Sequence, residues 1–276
     1  MKKLVSLALF LMVIQAKSQT FEGSIKWTMK MDITDPKIKA QMEEANKKLN
    51  DPATQAKMKE MEEKMKDPKF KAMMEANPQM KAQMENMMKM AQGGSGDMNS
   101  MMPKGMTMKI KDGNTLTKME GGMMDGNEIL YLKDKNQSVK LDRANKTYST
   151  LPQGQGAANG TTANITKTSE TTTILGYSCT KYVGEITERG NVVKQIFWTT
   201  TDIKDFDLKN LRSHRMGPNS RPVLPEGVDG VPLRIEMTMP EGNMVMEVAE
   251  IKRESLHTSD FTIPSDYKEV KMGGRP

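Results

Sequence analysis

Methionine is the residue type of this sequence with the most distinctive chemistry: 29 of its 276 residues are methionine, most of them between Met29 and Met124. A thioether can do two things. Its polarizable sulfur can ligate a soft cation such as Cu(I) or Ag(I). Its unbranched, flexible side chain can also provide an adaptable apolar surface for irregular or variable partners. Met84, Met87, Met88 and Met90 lie closest together and are the set to name for metal capture. Metal-capture segments usually mix methionine with histidine in disordered polar sequence, however, and histidine is absent from this region, where the spacing follows a helical stripe. Other residue types form no catalytic constellation. His214 and His257 are the only histidines, and neither stands at metal-ligand or triad-like spacing from carboxylates or a nucleophile. Cys179 is the only cysteine, so it forms no internal disulfide, and its strand-like setting reads as a buried, inert thiol. No glycine-rich phosphate loop precedes a helix. The expectation is a protein that is not an enzyme and carries no cofactor.

Two sequence rhythms position the methionines. From Phe21 to Ile33 apolar and polar residues alternate without a break, with Phe21, Ile25, Trp27, Met29, Met31 and Ile33 on one face. That period of two predicts a long strand with one wet side. From Asp35 the period lengthens. Asp35-Pro36, Asp51-Pro52, Asp67-Pro68 and Asn77-Pro78 each place a capping side chain before a proline suited to a first helical turn. Ile38, Met42, Ala45 and Leu49 then recur at steps of three and four, as do Met58, Met61 and Met65, then Phe70, Met73 and Met74, then Met80, Met84, Met87 and Met88. Glu43 with Lys47 and Glu60 with Lys64 have the spacing at which opposite charges meet on a helix. The pattern predicts a helical insert over 36–92 and a flexible connection over 93–103.

Strand patterns then resume: Met106 to Lys111 and Thr115 to Glu120 around Asp112-Gly113, then Glu128 to Leu132, Gln137 to Asp142 and Thr147 to Leu151. The Gly-, Ala-, Asn- and Thr-rich stretch 153–164 reads as a surface loop. Tyr177 to Thr187, Val192 to Thr199, Pro232 to Met239 and Asn243 to Glu254 are further strands, and Ile203 to Ser213 has room for a short helix. About ten short strands joined by tight turns predict an α+β fold, a curling antiparallel sheet with the insert's helices covering its apolar face.

The ends and totals bound the compartment. Lys2 and Lys3, the apolar run Leu4 to Ile14, and small residues at Ala16 and Ser18 read as a signal peptide, 1–18, cleaved after Ser18. No cysteine follows the cleavage point, so no lipid anchor is expected, and no later stretch approaches membrane-spanning length. The formal charge of +6 falls to +3 once Lys2, Lys3 and Lys17 leave. That surplus is mild and interleaved with acids, which argues against nucleic acid as a partner. Residues 19–276 are read as a single exported domain, periplasmic or secreted.

Two resemblances sharpen this. Tyr131-Leu-Lys-Asp-Lys, Val139-Lys-Leu-Asp-Arg with Lys146-Thr-Tyr, Ile174-Leu-Gly-Tyr-Ser-Cys-Thr-Lys-Tyr, Phe197-Trp-Thr-Thr and Phe261-Thr-Ile-Pro-Ser-Asp-Tyr resemble an exported bacterial family catalogued as domain of unknown function 4412. By fold-level analogy that family is similar to the LolA-like carriers, a curved half-barrel holding a lipid or acyl chain under helices. Asp67-Pro-Lys-Phe-Lys-Ala-Met-Met-Glu-Ala-Asn-Pro-Gln-Met resembles the DP-type methionine-rich repeats of heat-shock organising co-chaperones and ubiquilins, whose helices cradle hydrophobic segments. Together these imply a chaperone-like or lipid-binding carrier whose partner is an apolar ligand, a lipid tail or an exported protein client. The lining residues expected from sequence are Trp27, Met29, Met31, Met58, Met61, Met65, Met80, Met84, Met87 and Met88. The alternatives are an envelope Cu(I)/Ag(I) buffer using Met84, Met87, Met88 and Met90, and a structural or stress-response protein with no ligand.

Overall fold

The computed structural model describes residues 20–70, 73, 102–151, 162–188, 191–213 and 224–271. The signal peptide, Met80, Met84, Met87, Met88, Met90, His214, and most of the 93–103 connection and the 153–164 loop lie outside the described residues.

Alternation makes the first element. Gly23–Ile33 (β1) buries Ile25, Trp27, Met29 and Ile33 and exposes Lys26, Thr28, Lys30 and Asp32. Two helices follow, Pro36–Asn50 (α1) and Pro52–Lys66 (α2). Asp35 caps α1 by accepting from the backbone N–H groups of Lys37 (2.7 Å) and Ile38 (3.0 Å), and Asp51 caps α2 by accepting from Thr54 N–H at 3.1 Å. Each proline then takes a first-turn position where no N–H is required. Asp67 repeats the device, accepting from Lys69 N–H at 2.7 Å, and helical backbone resumes at Pro68. Glu60–Lys64 pairs as expected, at 2.7 Å, and Glu44–Lys48 makes the corresponding pair on α1.

The remaining strands are Gly105–Lys111 (β2), Asn114–Glu120 (β3), Glu128–Leu132 (β4), Gln137–Asp142 (β5), Thr147–Thr150 (β6), Thr162–Ile174 (β7), Tyr177–Glu188 (β8), Asn191–Thr200 (β9), Val231–Met239 (β10), Gly242–Arg253 (β11) and Lys268–Glu269 (β12). They form one sheet in the order β12-β6-β5-β4-β3-β2-β1-β11-β10-β9-β8-β7. The sheet is curved and unclosed, an α+β half-barrel. Its pairs are antiparallel except β12 with β6, which makes the sheet mixed rather than purely antiparallel. Residues 162–164, read as the end of a loop, instead begin β7, a threonine-rich edge strand.

Both faces of the sheet are packed, over different strands. On the inner face, Ile25, Trp27, Met106, Met108, Met246 and Phe197 meet Ile203, Phe206, Leu211, Leu224 and Val228, which come from the segment between β9 and β10. That segment carries the short helix Leu208–Ser213 (α3) and is tied down where Phe21 N–H donates to the Asp205 carbonyl at 2.8 Å. On the opposite face Leu116, Leu130, Val139 and Leu141 are covered by Leu256 and Phe261 of the C-terminal segment.

The apolar face is thus covered chiefly by residues 203–211 and 224–228, and of the two described methionine helices α1 alone borders it, at the Met29–Ile33 end of β1. Neither α1 nor α2 buries a residue fully. Their apolar stripes are narrow and flanked by Lys and Glu, and Ile38, Met42, Leu49, Met58, Met61 and Met65 are each only half-buried. The methionines that build the core are in strands: Met106 and Met108 are 0% exposed and Met246 is 1% exposed.

Candidate functional site

A mismatch in strand length creates the site. Pairing between β1 and β2 ends at Thr28 with Gly105, whereas β1 continues five residues further, paired only with β11. Met29, Met31 and Ile33 therefore present an apolar strip beyond the end of β2. The chain then turns back over that strip. Thr34 and Asp35 N–H groups both donate to the Glu241 carbonyl, at 3.0 and 3.2 Å, which fixes the direction in which α1 leaves. On the other side, Lys104 bridges the ends of two strands: its carbonyl accepts from Met29 N–H and its N–H donates to the Glu120 carbonyl, each at 2.8 Å. Two glycines permit the close approaches this requires. A Cβ at Gly105 would stand 2.5 Å from the Trp27 carbonyl oxygen, and one at Gly242 would stand 2.1 Å from that of Asp32.

Between these parts lies a half-open cleft of about 360 Å³. Met29, Met31, Ile33, Met42, Met102 and Pro103 supply its apolar wall, and Asp32, Lys39, Glu43, Asn46 and Lys104 its polar rim. Lys39, Met42, Glu43 and Asn46 are spaced as one face of α1, so a single helix contributes both wall and rim. The thioether surface continues sideways. Met31 is opposite Met244 and Met244 opposite Met237, all three half-buried, and Gln195 Nε2 donates to Met237 Sδ at 3.1 Å. This arrangement can exclude water from a short alkyl or aryl group while leaving one end of it at a polar, mixed-charge rim.

The sequence-named lining residues distribute as follows. Met29 and Met31 line the cleft. Trp27, on the same face of β1, is 2% exposed within the core. Met58, Met61 and Met65 are half-buried on α2. Met80, Met84, Met87 and Met88, and with them the metal set completed by Met90, lie outside the described residues. Met42 lies on the expected α1 stripe but is not among the expected lining residues, and Met102, Pro103 and Lys104 fall in, or just after, the expected flexible connection. The signal that points to them is the alternating run of β1, longer than the run that becomes β2.

Cys179 is buried, its Sγ 3.6 Å from the Tyr177 carbonyl, and burial pushes its thiol up from the ordinary value, which keeps it protonated and unreactive. His257 is exposed. Among the described residues no three His, Cys, Asp or Glu side chains converge to hold a metal. Also among them, no helix is long and apolar enough to cross a membrane.

Comparisons with known proteins place the chain. Two solved structures are distantly similar. The Mycobacterium tuberculosis lipoprotein LppX has 8% identity and a TM-score of 0.33, over 86% of this chain and 89% of that one. LprF from Mycobacterium bovis has 14% identity and a TM-score of 0.27, over 61% and 84%. No curated protein matches the sequence. The profile of a family described as Domain of unknown function (DUF4412) matches residues 86–267. Because that match spans about two thirds of the sequence, with β2 to β11 inside it, the chain belongs to the DUF4412 family.

Proposed function

We propose that this is an exported, non-enzymatic binding protein that shelters a small apolar group, an alkyl tail or a large hydrophobic side chain of a client, in the cleft between β1 and α1. The observation that carries the reading is the wall of Met29, Met31, Ile33, Met42, Met102 and Pro103 around about 360 Å³ of open space, at the one end of β1 that β2 does not cover. A cleft of this size is at the small end of ligand sites. It accommodates one chain rather than a multi-tailed lipid. Methionine suits such a wall because its flexible side chain re-packs around different shapes. Export is supported by the charged, apolar and small-residue succession of the first eighteen residues. Absence of catalysis is supported by the lack of an acid–base or nucleophile constellation in the sequence.

Native mass spectrometry of protein gently purified from its producing cell, together with displacement of a fluorescent fatty acid, tests the proposal. Co-purifying apolar mass, or saturable displacement abolished by Met42→Glu, is the expected result. An empty protein that binds neither fluorescent fatty acids nor unfolded clients overturns it.

A further inference from the structure

We propose that the thioethers of Met31, Met42 and Met102 also form a site for one soft monovalent cation, Cu(I) or Ag(I), at the mouth of the cleft. Those three side chains, with Met29 beneath them, come from three separate stretches of chain, β1, α1 and the segment entering β2, and line one cavity. All three are half-buried, whereas Met29 is 9% exposed and lies at the edge of the core. Met31, Met42 and Met102 are therefore the more solvent-accessible methionines of the cleft. A thioether is a neutral, polarizable donor that favours soft ions over Mg, Ca or Mn. Harder and borderline divalent ions lack donors here, since no trio of His, Cys, Asp or Glu converges among the described residues.

The cleft is wider than a bare ion. Each methionine has three rotatable side-chain bonds, so the sulfurs can close on the ion while the stems stay against the wall. Charge burial is the opposing effect, because an ion taken out of water needs compensation. The mouth supplies it: Glu43 follows Met42 on α1, Asp32 follows Met31, and both carboxylate-bearing residues border the cavity. The argument uses the same cavity as the apolar-ligand reading but does not depend on it.

The test uses the full mature chain labelled with methyl-13C methionine, titrated with Ag(I), with resonances assigned through Met31→Leu, Met42→Leu and Met102→Leu. The first equivalent of Ag(I) is expected to move those three methyl signals, and the triple leucine variant to bind one equivalent fewer. Leucine is apolar and of similar volume, so the triple variant is expected to stay folded, with its urea-unfolding transition still cooperative, and Met58→Leu on α2, outside the cleft, is expected to leave the first equivalent of Ag(I) in place. A first equivalent that moves only other methionines, such as Met58, Met61 and Met65, overturns the site. So does unchanged stoichiometry in the triple variant, or failure to bind Ag(I) at all. Alkyl carboxylate without silver defeats this proposal alone; silver without alkyl carboxylate defeats the apolar-ligand reading alone.

Discussion

Affinity for straight-chain carboxylates should rise with chain length and then stop rising at a length fixed by the cleft. The cavity holds about 360 Å³. Liquid water takes up about 30 Å³ per molecule, and a methylene is of similar size, so the cleft fills at roughly a dozen heavy atoms of chain. A methylene moved fully out of water contributes about 0.8 kcal/mol, close to a fourfold gain in affinity, and one that stays half-wet in an open cleft contributes about half of that, close to twofold. From hexanoate to dodecanoate, six methylenes at the half-wet value compound to roughly 60-fold. From dodecanoate to hexadecanoate the gain should be small, because the added carbons project into solvent. Isothermal titration below the micelle concentration of each carboxylate measures the series. Flat affinity would show that the cleft does not bury the chain. A slope that continues unbroken to hexadecanoate would place the ligand in a larger site than this one. Retention of the slope in Met42→Glu would show that α1 does not form the wall.

The division of labour among methionines predicts that Met108→Ala, at a fully buried strand position, costs about 2–5 kcal/mol in urea unfolding. Met61→Ala, half-buried on α2, should cost under about 1 kcal/mol; similar losses at both sites would put the insert in the core after all. Removing the helix cap with Asp35→Ala should cost α1 about 1 kcal/mol and weaken dodecanoate binding with little change in the main unfolding transition. A variant that binds like the original would uncouple α1 from the site. Stability should fall in acid. Arg253 holds the Asp205 carboxyl below its ordinary range, Lys111 does so for Glu22 and Lys146 for Asp266, and for Glu120 the main cause is the Thr107 hydroxyl. These carboxyls bind protons less readily folded than unfolded, so the stability they add is present at neutral pH and lost as pH falls below about 4. Thermal melts from neutral to acid pH check this, and a Tm unchanged down to pH 3 would contradict it.

How far the sequence carried these features depended on whether their cause was local. The Asp-Pro caps of α1 and α2 are decided within four residues, and Asp112-Gly113 sits at positive φ for both residues, 53° and 81°, as its hairpin turn demands. The strand β7 escapes the sequence reading because Thr162–Ile174 lies at the sheet's edge and the side chains of residues 164–173 are exposed or half-buried. No apolar alternation marks it, only the β-branched character of its threonines. Trp27 and Met31 illustrate the limit at the site. Both face the same way on β1, but Trp27 falls where Ile203, Phe206, Leu211, Leu224 and Val228 pack over the sheet and Met31 falls past the end of β2. That difference is set by a segment nearly two hundred residues away. Equally non-local is the Glu241 carbonyl that turns α1 back across the strip, without which Met42 would not reach it.

The methionines themselves supply the most direct measurement of the central claim, that the apolar ligand sits between β1 and α1. Methyl-13C methionine spectra recorded during titration with dodecanoate should show saturable shifts at Met29, Met31, Met42 and Met102, with Met106 and Met108 in the packed core unmoved. Shifts confined to Met58, Met61 and Met65 of α2, or no shifts at saturating dodecanoate, would contradict it.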